Sequence, residues 1–511
     1  MTRDPATPYV TNTDRPVFAL RGLSEEDVAV LFACYSRSSR PLRDVLRQAL
    51  ASGDLDPEAG FREIAALLCS HPEGDRPADE AEALYRIAMA RTSDTTSAAS
   101  RAFHEKWVLG YGHKSVAEHA TAHIGIEQCS LLAAKAVEDC RLGTAFTEQS
   151  TRYVPFSRDT LVTDIGIRDP GLQAEYEEAA RGLLDAYGMA CDAFSEVAKR
   201  DYPEASDAAR RGWVLDRARS LLPCGVPTRV GVSVNGNAAA AMVRKLGTES
   251  GMPEVVRLAS AIREEGSAVL PTLLRHTDPE TGRRSRHLQL DRLQPRGYTS
   301  VYERHVALDG IDDAGVQARL ARAMVEDVRG AGTLPGDAPF EDVLLSYLGG
   351  RGPHDAPGRA LEAVPVRIRL VVDFGAWRDI QRHRVFSAAP VFVRPKAGVD
   401  IPDLGRLPLS VQGVVLAACT RAQVVGRKLE AEHGPGIAQY VLPLGTLVQA
   451  KLYGNLRGLV TFIELRSRPE GHDSYRAVAH SLADAIARNA ALGPLARYIR
   501  CDRTVRSLAR K

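Results

Sequence analysis

From Val364 to Phe374 the chain alternates without a slip. Val364, Val366, Ile368, Leu370, Val372 and Phe374 fall on one side. Pro365, Arg367, Arg369 and Asp373 fall on the other, with Val371 the one apolar intruder. A period of two makes this a half-buried strand, so the surrounding chain must supply a core against one side only. Gly375 breaks the pattern, and Ala376 to Gln381 read as a short helix that delivers Arg382, His383 and Arg384. Two guanidinium forks and an imidazole at one strand–helix junction suit an anion or an electron-rich ring. A solvated basic patch is the plain alternative.

A similar layout stands far upstream. Ala120, Ala122, Ile124 and Ile126 alternate with Thr121, His123, Gly125 and Glu127, a short strand. Cys129 to Asp139 follow with Leu132, Ala136 and Val137 at helical spacing, and at the end stands Cys140-Arg141-Leu142. Next comes Thr147-Glu148-Gln149-Ser150-Thr151-Arg152-Tyr153; in an extended segment Glu148, Ser150 and Arg152 would point to one side, as a phosphate-binding edge needs. Long helices are expected over about 171–199 and 206–221, the second ending in Arg219 and followed by Pro223 and Cys224. Further helices are expected from Ser24, over about 57–70, 79–109, 312–329 and 409–432, and finally over about 473–491 with Val478, Leu482 and Ile486 inward. Asn455 suits a helix N-cap. The polar, turn-rich stretch 275–300 is the best boundary, and the Gly/Pro-rich stretch 330–338 reads as a loop.

Composition limits the partners. In 511 residues, 66 Lys and Arg face 64 Asp and Glu, so anion binding must be local and no nucleic acid is expected. Eight scattered cysteines without a C-x-x-C pair suit a reduced, cytoplasmic protein. No apolar leader and no run of 18 apolar residues occur, so neither export nor a membrane span is expected. His113, Glu118, His119 and His123 do not form H-E-x-x-H, and no metal site is expected. The glycines from Gly330 to Gly336 do not make a dinucleotide fingerprint.

The motifs resemble those of the flavin-dependent thymidylate synthase family, distributed over two halves of the chain. That family carries R-H-R followed by a serine, an upstream G-H-x-S-x-x-E-H, and a downstream N-x-R with a final arginine. Here Gly112–His119 (GHKSVAEH) and Glu148–Tyr153 (EQSTRY) are intact, but the N-terminal Arg-His-Arg has become Cys140-Arg141-Leu142. In the C-terminal half Arg382-His383-Arg384 is intact, while Phe392 and Pro390 stand at the serine and glutamate positions. Arg219-x-x-x-Pro223 corresponds to Gln439-x-x-x-Pro443, and Asn235-x-Asn237 to Asn455-x-Arg457, with Arg466 the surviving final arginine. The losses are complementary, so the resemblance implies one whole nucleotide site and one dead site per chain.

The resemblance implies an α/β (α+β) fold of two fused flavin-dependent thymidylate synthase-like domains forming an internal pseudo-dimer. The expected divisions are 1–275, a linker region 276–340, and 341–511, with further association into a homodimer (a pseudo-tetramer). Arg382, Asp379, Glu148, Gln149, Ser150, Arg152 and Arg219 would bind a pyrimidine nucleotide. Arg466 would stabilise the charge that makes C5 nucleophilic. His113, Ser115, Glu118, Tyr153, Arg382, His383, Arg384, Asn455 and Arg457 would line FAD. NADPH and methylenetetrahydrofolate are the implied co-substrates of reductive methylation at C5. Asp379 stands where the family has glutamine, and an acceptor-only carboxylate suits a donor edge such as a cytosine amine. Cys224, beside an arginine-rich turn, is a candidate nucleophile or sulfur source, or else a small buried hydrophobe. The alternatives are therefore another flavin-dependent change to the base or sugar, as in nucleoside-antibiotic pathways, and a flavin-free nucleotide-binding scaffold.

Overall fold

The computed structural model describes residues 6–22, 40–52, 114–249, 251–275, 303–311, 315–330, 338–389 and 391–504, with Asp4, Phe32 and Thr277. The helices expected from Ser24 and over 57–70 and 79–109 lie outside the described residues, as do His113, most of the 275–300 stretch and the loop 331–337. The described chain divides into two units. The first comprises Met1–Asp185, Pro223–Tyr298 and Lys428–Val441; the second comprises Ala186–Leu222, Thr299–Arg427 and Leu442–Lys511.

In the first half of the chain come β1 (Val17–Leu20), α1 (Leu42–Ser52), β2 (Thr121–Ser130), α2 (Leu131–Glu138) and β3 (Thr144–Glu148). They are followed by α3 (Pro170–Asp201), α4 (Asp207–Ala218), β4 (Pro227–Asn235), α5 (Gly236–Gly247) and α6 (Pro253–Ser267). The four strands pair antiparallel in the order β1-β2-β4-β3. Strand β2 runs through Ser130 rather than yielding to helix at Cys129. An irregularity between Ile126 and Cys129, with Gln128 at φ 60°, absorbs the extra residue and lets the strand continue. A side chain at Gly231 of β4 would meet the Phe32 ring at 2.4 Å. Gly231→Ala should therefore overpack this place and cost about 1–3 kcal/mol, read as a lower urea midpoint at unchanged m.

The second half repeats the order: β5 (His305–Asp309), α7 (Val316–Arg329), β6 (Pro365–Asp373), α8 (Phe374–Ile380), β7 (Ser387–Ala388), α9 (Leu409–His433), β8 (Leu447–Asn455), α10 (Leu456–Arg466) and α11 (Asp473–Arg488). Its sheet has the order β5-β6-β8-β7, again antiparallel throughout. The two sheets have one topology, as duplication requires. The expected alternation of β6 holds: Val366, Ile368, Leu370 and Val372 are buried while Arg367 and Arg369 are exposed. Asp373, expected on the polar side, is buried, because its carboxylate caps α8 at Ala376 N (2.7 Å) and pairs with Arg304 (3.0 Å).

Where β2, β4, β6 and β8 run directly into helices, a capping side chain sets the junction. Ser130, Asn235, Asp373 and Asn455 accept from the amides of Ala133, Ala238, Ala376 and Gly458, three residues on in each case. The stretch 276–340, expected as a linker region with a helix over about 312–329, carries that helix as α7 and also β5, which pairs with β6 at the edge of the second unit's sheet. The two units do not divide at 275 and 341, because residues 186–222 belong to the second unit and 428–441 to the first. Helix α9 is long enough to cross a membrane, with mean hydropathy 1.3 over an 18-residue window. Its Gln412 and Gln423 nonetheless donate to the carbonyls of Leu407 and Ala397, at 2.8 Å each, which ties the part of this helix up to Arg427 into the second unit.

Candidate functional site

Within the second unit, α8 presents Asp379, and the turn after it presents Arg382 and His383. The short helix holds its place because Asp373 caps one end while Phe374, Ala376, Trp377 and Ile380 are buried. Arg219, on the single turn after α4, is 5% exposed. Its guanidinium passes over Gly375, where a Cβ would sit 3.6 Å from Nη2, and Nη2 donates to Asp379 Oδ2 at 3.2 Å. The Arg382 guanidinium stands 4.0 Å from Asp379 Oδ1, an ion pair longer than a hydrogen bond. Thus Arg219, from early in the chain, meets Asp379 and Arg382 in one unit.

Arg466 closes the cluster from the end of α10. Its Nη2 donates to the Asp379 carbonyl at 2.9 Å and its Nε to His383 Nε2 at 2.5 Å. The guanidinium also lies over the Tyr475 ring, 4.9 Å from the centroid. Burial alone would raise the Asp379 pKa, but Arg219, then Arg382 and Arg466, overcome it and hold the carboxyl well below the usual range. The His383 pKa is also pushed down, to about 3, first by burial and then by Arg466. So the cluster is an ionised carboxylate among three arginines, with a neutral imidazole.

Sequence reasoning missed His472. It caps α11 through Nδ1, which accepts from Ser474 N at 3.1 Å, while Nε2–H donates to the Asp216 carbonyl at 2.9 Å. Burial, then Arg219, lowers its pKa and keeps it neutral. The only signal in the sequence is a histidine placed just before the helix-opening Asp473-Ser474.

The other expected site residues are less uniform. Arg384 is exposed. Asn455 spends its side-chain oxygen on the α10 cap. Arg457 donates to the Pro357 carbonyl at 2.8 Å and to Glu362 at 2.6 Å, so local structure already engages it. Cys224 is wholly buried, a place for a small packed side chain rather than a nucleophile that needs access.

In the first unit, β3 ends at Glu148 and the chain then turns. Ser150 Oγ accepts from Arg152 N at 3.2 Å, and Tyr153 N donates to the Ser150 carbonyl at 3.3 Å. The extended spacing expected for Glu148, Ser150 and Arg152 therefore fails beyond Glu148, because the serine hydroxyl accepts from the Arg152 amide within a turn. Glu148 and Gln149 are buried and Tyr153 is 53% exposed. Ser115 and Glu118 are exposed, and Glu118 accepts from Asn237 Nδ2 at 3.2 Å. Among the described residues no three His, Cys, Asp or Glu side chains are placed to hold a metal.

The first unit's counterparts of the charged cluster are apolar or uncharged. Val137, Leu246 and Gln439 stand for Asp379, Arg466 and Arg219, with exposures of 0%, 1% and 2%. Cys140 stands for Arg382, and burial pushes its thiol up to about 11, so it stays a thiol. One copy thus carries charge where the other has apolar or uncharged side chains.

Comparison with known proteins agrees with this duplication. A family model described as thymidylate synthase complementing protein matches residues 61–272 and 335–490, one segment on each sheet. A UPF0159 protein of Chlamydia muridarum is 28% identical over 518 residues, spanning 95% of this chain and 92% of its own length. A UPF0159 protein of Thermoplasma acidophilum is 27% identical over 433 residues, 76% of this chain and 86% of its own. A flavin-dependent thymidylate synthase of Thermococcus kodakarensis is 32% identical over 137 residues, 26% of this chain and 48% of its own. Among solved structures, the UMP/dUMP methylase PolB of Streptomyces cacaoi bound with 5-Br dUMP aligns at a TM-score of 0.32 and 18% identity, over 39% of this chain and 99% of its own.

Proposed function

The chain belongs to the thymidylate synthase complementing protein family, and from that premise we propose that the arginine–aspartate cluster of its second unit binds a pyrimidine nucleotide for flavin-dependent modification. The favoured reaction is reductive methylation at C5, with methylenetetrahydrofolate giving the carbon and NADPH the electrons. The observation that carries this reading is the meeting of Arg219, Arg382 and Arg466 around Asp379. Three guanidinium groups around one carboxylate, two of them held by hydrogen bonds, suit the phosphate and carbonyl oxygens of a nucleotide. Arg466, held at two atoms, is the group suited to stabilise negative charge on a pyrimidine ring, which raises the nucleophilicity of C5. FAD, when bound, supplies the redox chemistry. Arg384 and Ser115, whose side chains are exposed, keep the flavin-holding role that the resemblance implies. Glu148, Gln149, Ser150 and Arg152 keep the nucleotide-binding role that resemblance implies, and Ser150→Ala tests it by loss of dUMP affinity.

The experiment is tritium release from C5-labelled dUMP by the purified chain with FAD, NADPH and methylenetetrahydrofolate. Release that depends on the folate and falls about 10²-fold or more in Arg466→Ala supports the reading. Folate-independent turnover, or no release from a flavin-loaded protein, overturns methylation. A second reading is favoured by Asp379, whose ionised carboxylate only accepts hydrogen bonds. It suits a ligand with an amine or hydroxyl edge, so CMP should bind more tightly than UMP, and Asp379→Gln should reverse the order.

A further inference from the structure

Two atoms hold Arg466 through nitrogen donors, and one belongs to His383. Arginine has no acceptor, so the 2.5 Å contact requires His383 Nε2 to carry the lone pair and Nδ1 the proton. The ring is 9% exposed and meets Phe462 edge to face at 4.8 Å, which fixes its plane. We propose that His383 is a positioning residue, whose Nε2 fixes the Arg466 guanidinium and leaves its remaining nitrogen, Nη1, for the ligand. Nη1 makes no hydrogen bond to any described residue. This inference rests on the reading of Arg466 as the ligand-facing cation and departs from the flavin contact implied for His383 by resemblance.

A neutral imidazole does what no charged side chain does at this place. A carboxylate would form an ion pair with Arg466 and cancel the charge that the ligand should meet. A lysine or arginine would repel it. An imidazole accepts the bond and leaves the cation whole. The charged groups facing the ring are Arg466 from α10 and Asp379 from α8; Asp379 opposes Arg466 but does not outweigh burial and the guanidinium together. The ring therefore stays neutral, and the acceptor is present across the neutral range.

Two measurements on the full chain test the assignment. In nitrogen-15 histidine spectra, the signal lost in His383→Gln should show an unprotonated Nε2 and no titration between about pH 5 and pH 8; in Arg466→Ala it should titrate at higher pH than in the natural chain. In the tritium-release assay His383→Leu, which has no acceptor, should lower kcat about 10²-fold with KM little changed, the scale of a misplaced group. His383→Gln, which accepts through its amide oxygen, should recover most of that loss. A protonated Nε2, or equal losses in the leucine and glutamine variants, overturns the proposal. If the natural chain releases no tritium, the methylation reading fails alone and the spectra still decide the position of the proton.

Discussion

Arg219→Ala is expected to cost about 3 kcal/mol at neutral pH, and to weaken dUMP binding as well. The Arg219 side chain is 6% exposed and that of Asp379 19%. Removing the arginine leaves a largely buried carboxylate whose nearest remaining guanidinium is 4.0 Å away, and an unpaired buried charge is expensive. The cost should shrink when Asp379→Asn is introduced as well, since the double variant no longer buries that charge; the coupling in a double-mutant cycle reports the pair itself. The pH dependence follows from the direction of the shift. The folded-state pKa of Asp379 lies below its unfolded value, so this stabilisation is present above about pH 4 and is lost as pH falls through the folded pKa. Arg219→Ala removes the first of the groups holding that pKa down, so its urea midpoint should fall less steeply on acidification than that of the natural chain. Midpoints at neutral pH that coincide for the two proteins would contradict the buried pair.

Local patterns of the chain foretold local structure well. The alternation around Ile368 and Leu370 fixed a strand, the spacing of Val478, Leu482 and Ile486 an inward helix face, and Asn455 a cap. The complementary losses in the two copies pointed to Arg219 as the partner of the C-terminal arginines, and it does stand in the second unit beside Asp379. What failed was longer in range or finer in scale. The turn at Ser150 depends on one hydroxyl accepting from the amide two residues on, which a spacing argument cannot see. His472 acquires its role from Asp216, 256 residues earlier in the chain. Periodicity reports which face of α3 is apolar, but the face says nothing about the helix being shared, with Asp185 in one unit and Ala186 in the other. The same limit hid the hub at Glu254, which accepts from Ser130 N (2.7 Å), Ser130 Oγ (2.6 Å) and Tyr440 OH (2.7 Å), a residue 186 positions away.

That sharing leads to the largest expected effect: residues 1–275 and residues 341–511, expressed separately, should each fail to fold. The first fragment lacks Lys428–Val441, and with it the Tyr440 hydroxyl on Glu254 and the Tyr440 carbonyl that accepts from Gly225 N at 2.8 Å. Ile437, Ala438, Tyr440 and Val441, none more than 3% exposed, leave the core of the first unit with it. The second fragment lacks Ala186–Leu222, and so Phe194, Trp213, Leu215, Leu221 and Leu222, none more than 3% exposed. It also loses the carbonyls of Leu222 and Ser220, which accept from Leu444 N at 2.9 Å and Gly445 N at 2.7 Å. A buried large apolar side chain is worth about 1.5–3 kcal/mol, so the three large ones lost by the first fragment and the five lost by the second are comparable to the whole stability of about 5–15 kcal/mol that a domain has to lose. Fragments divided instead at Tyr298, 1–298 and 299–511, together carry every segment, and co-expression should let each supply what the other's unit lacks. Circular dichroism in urea decides the matter: single fragments without a cooperative transition and a co-purified pair with one. A cooperative transition in 1–275 alone, at a midpoint close to that of the full chain, would show that the exchanged segment is dispensable and that the two units are independent in energy.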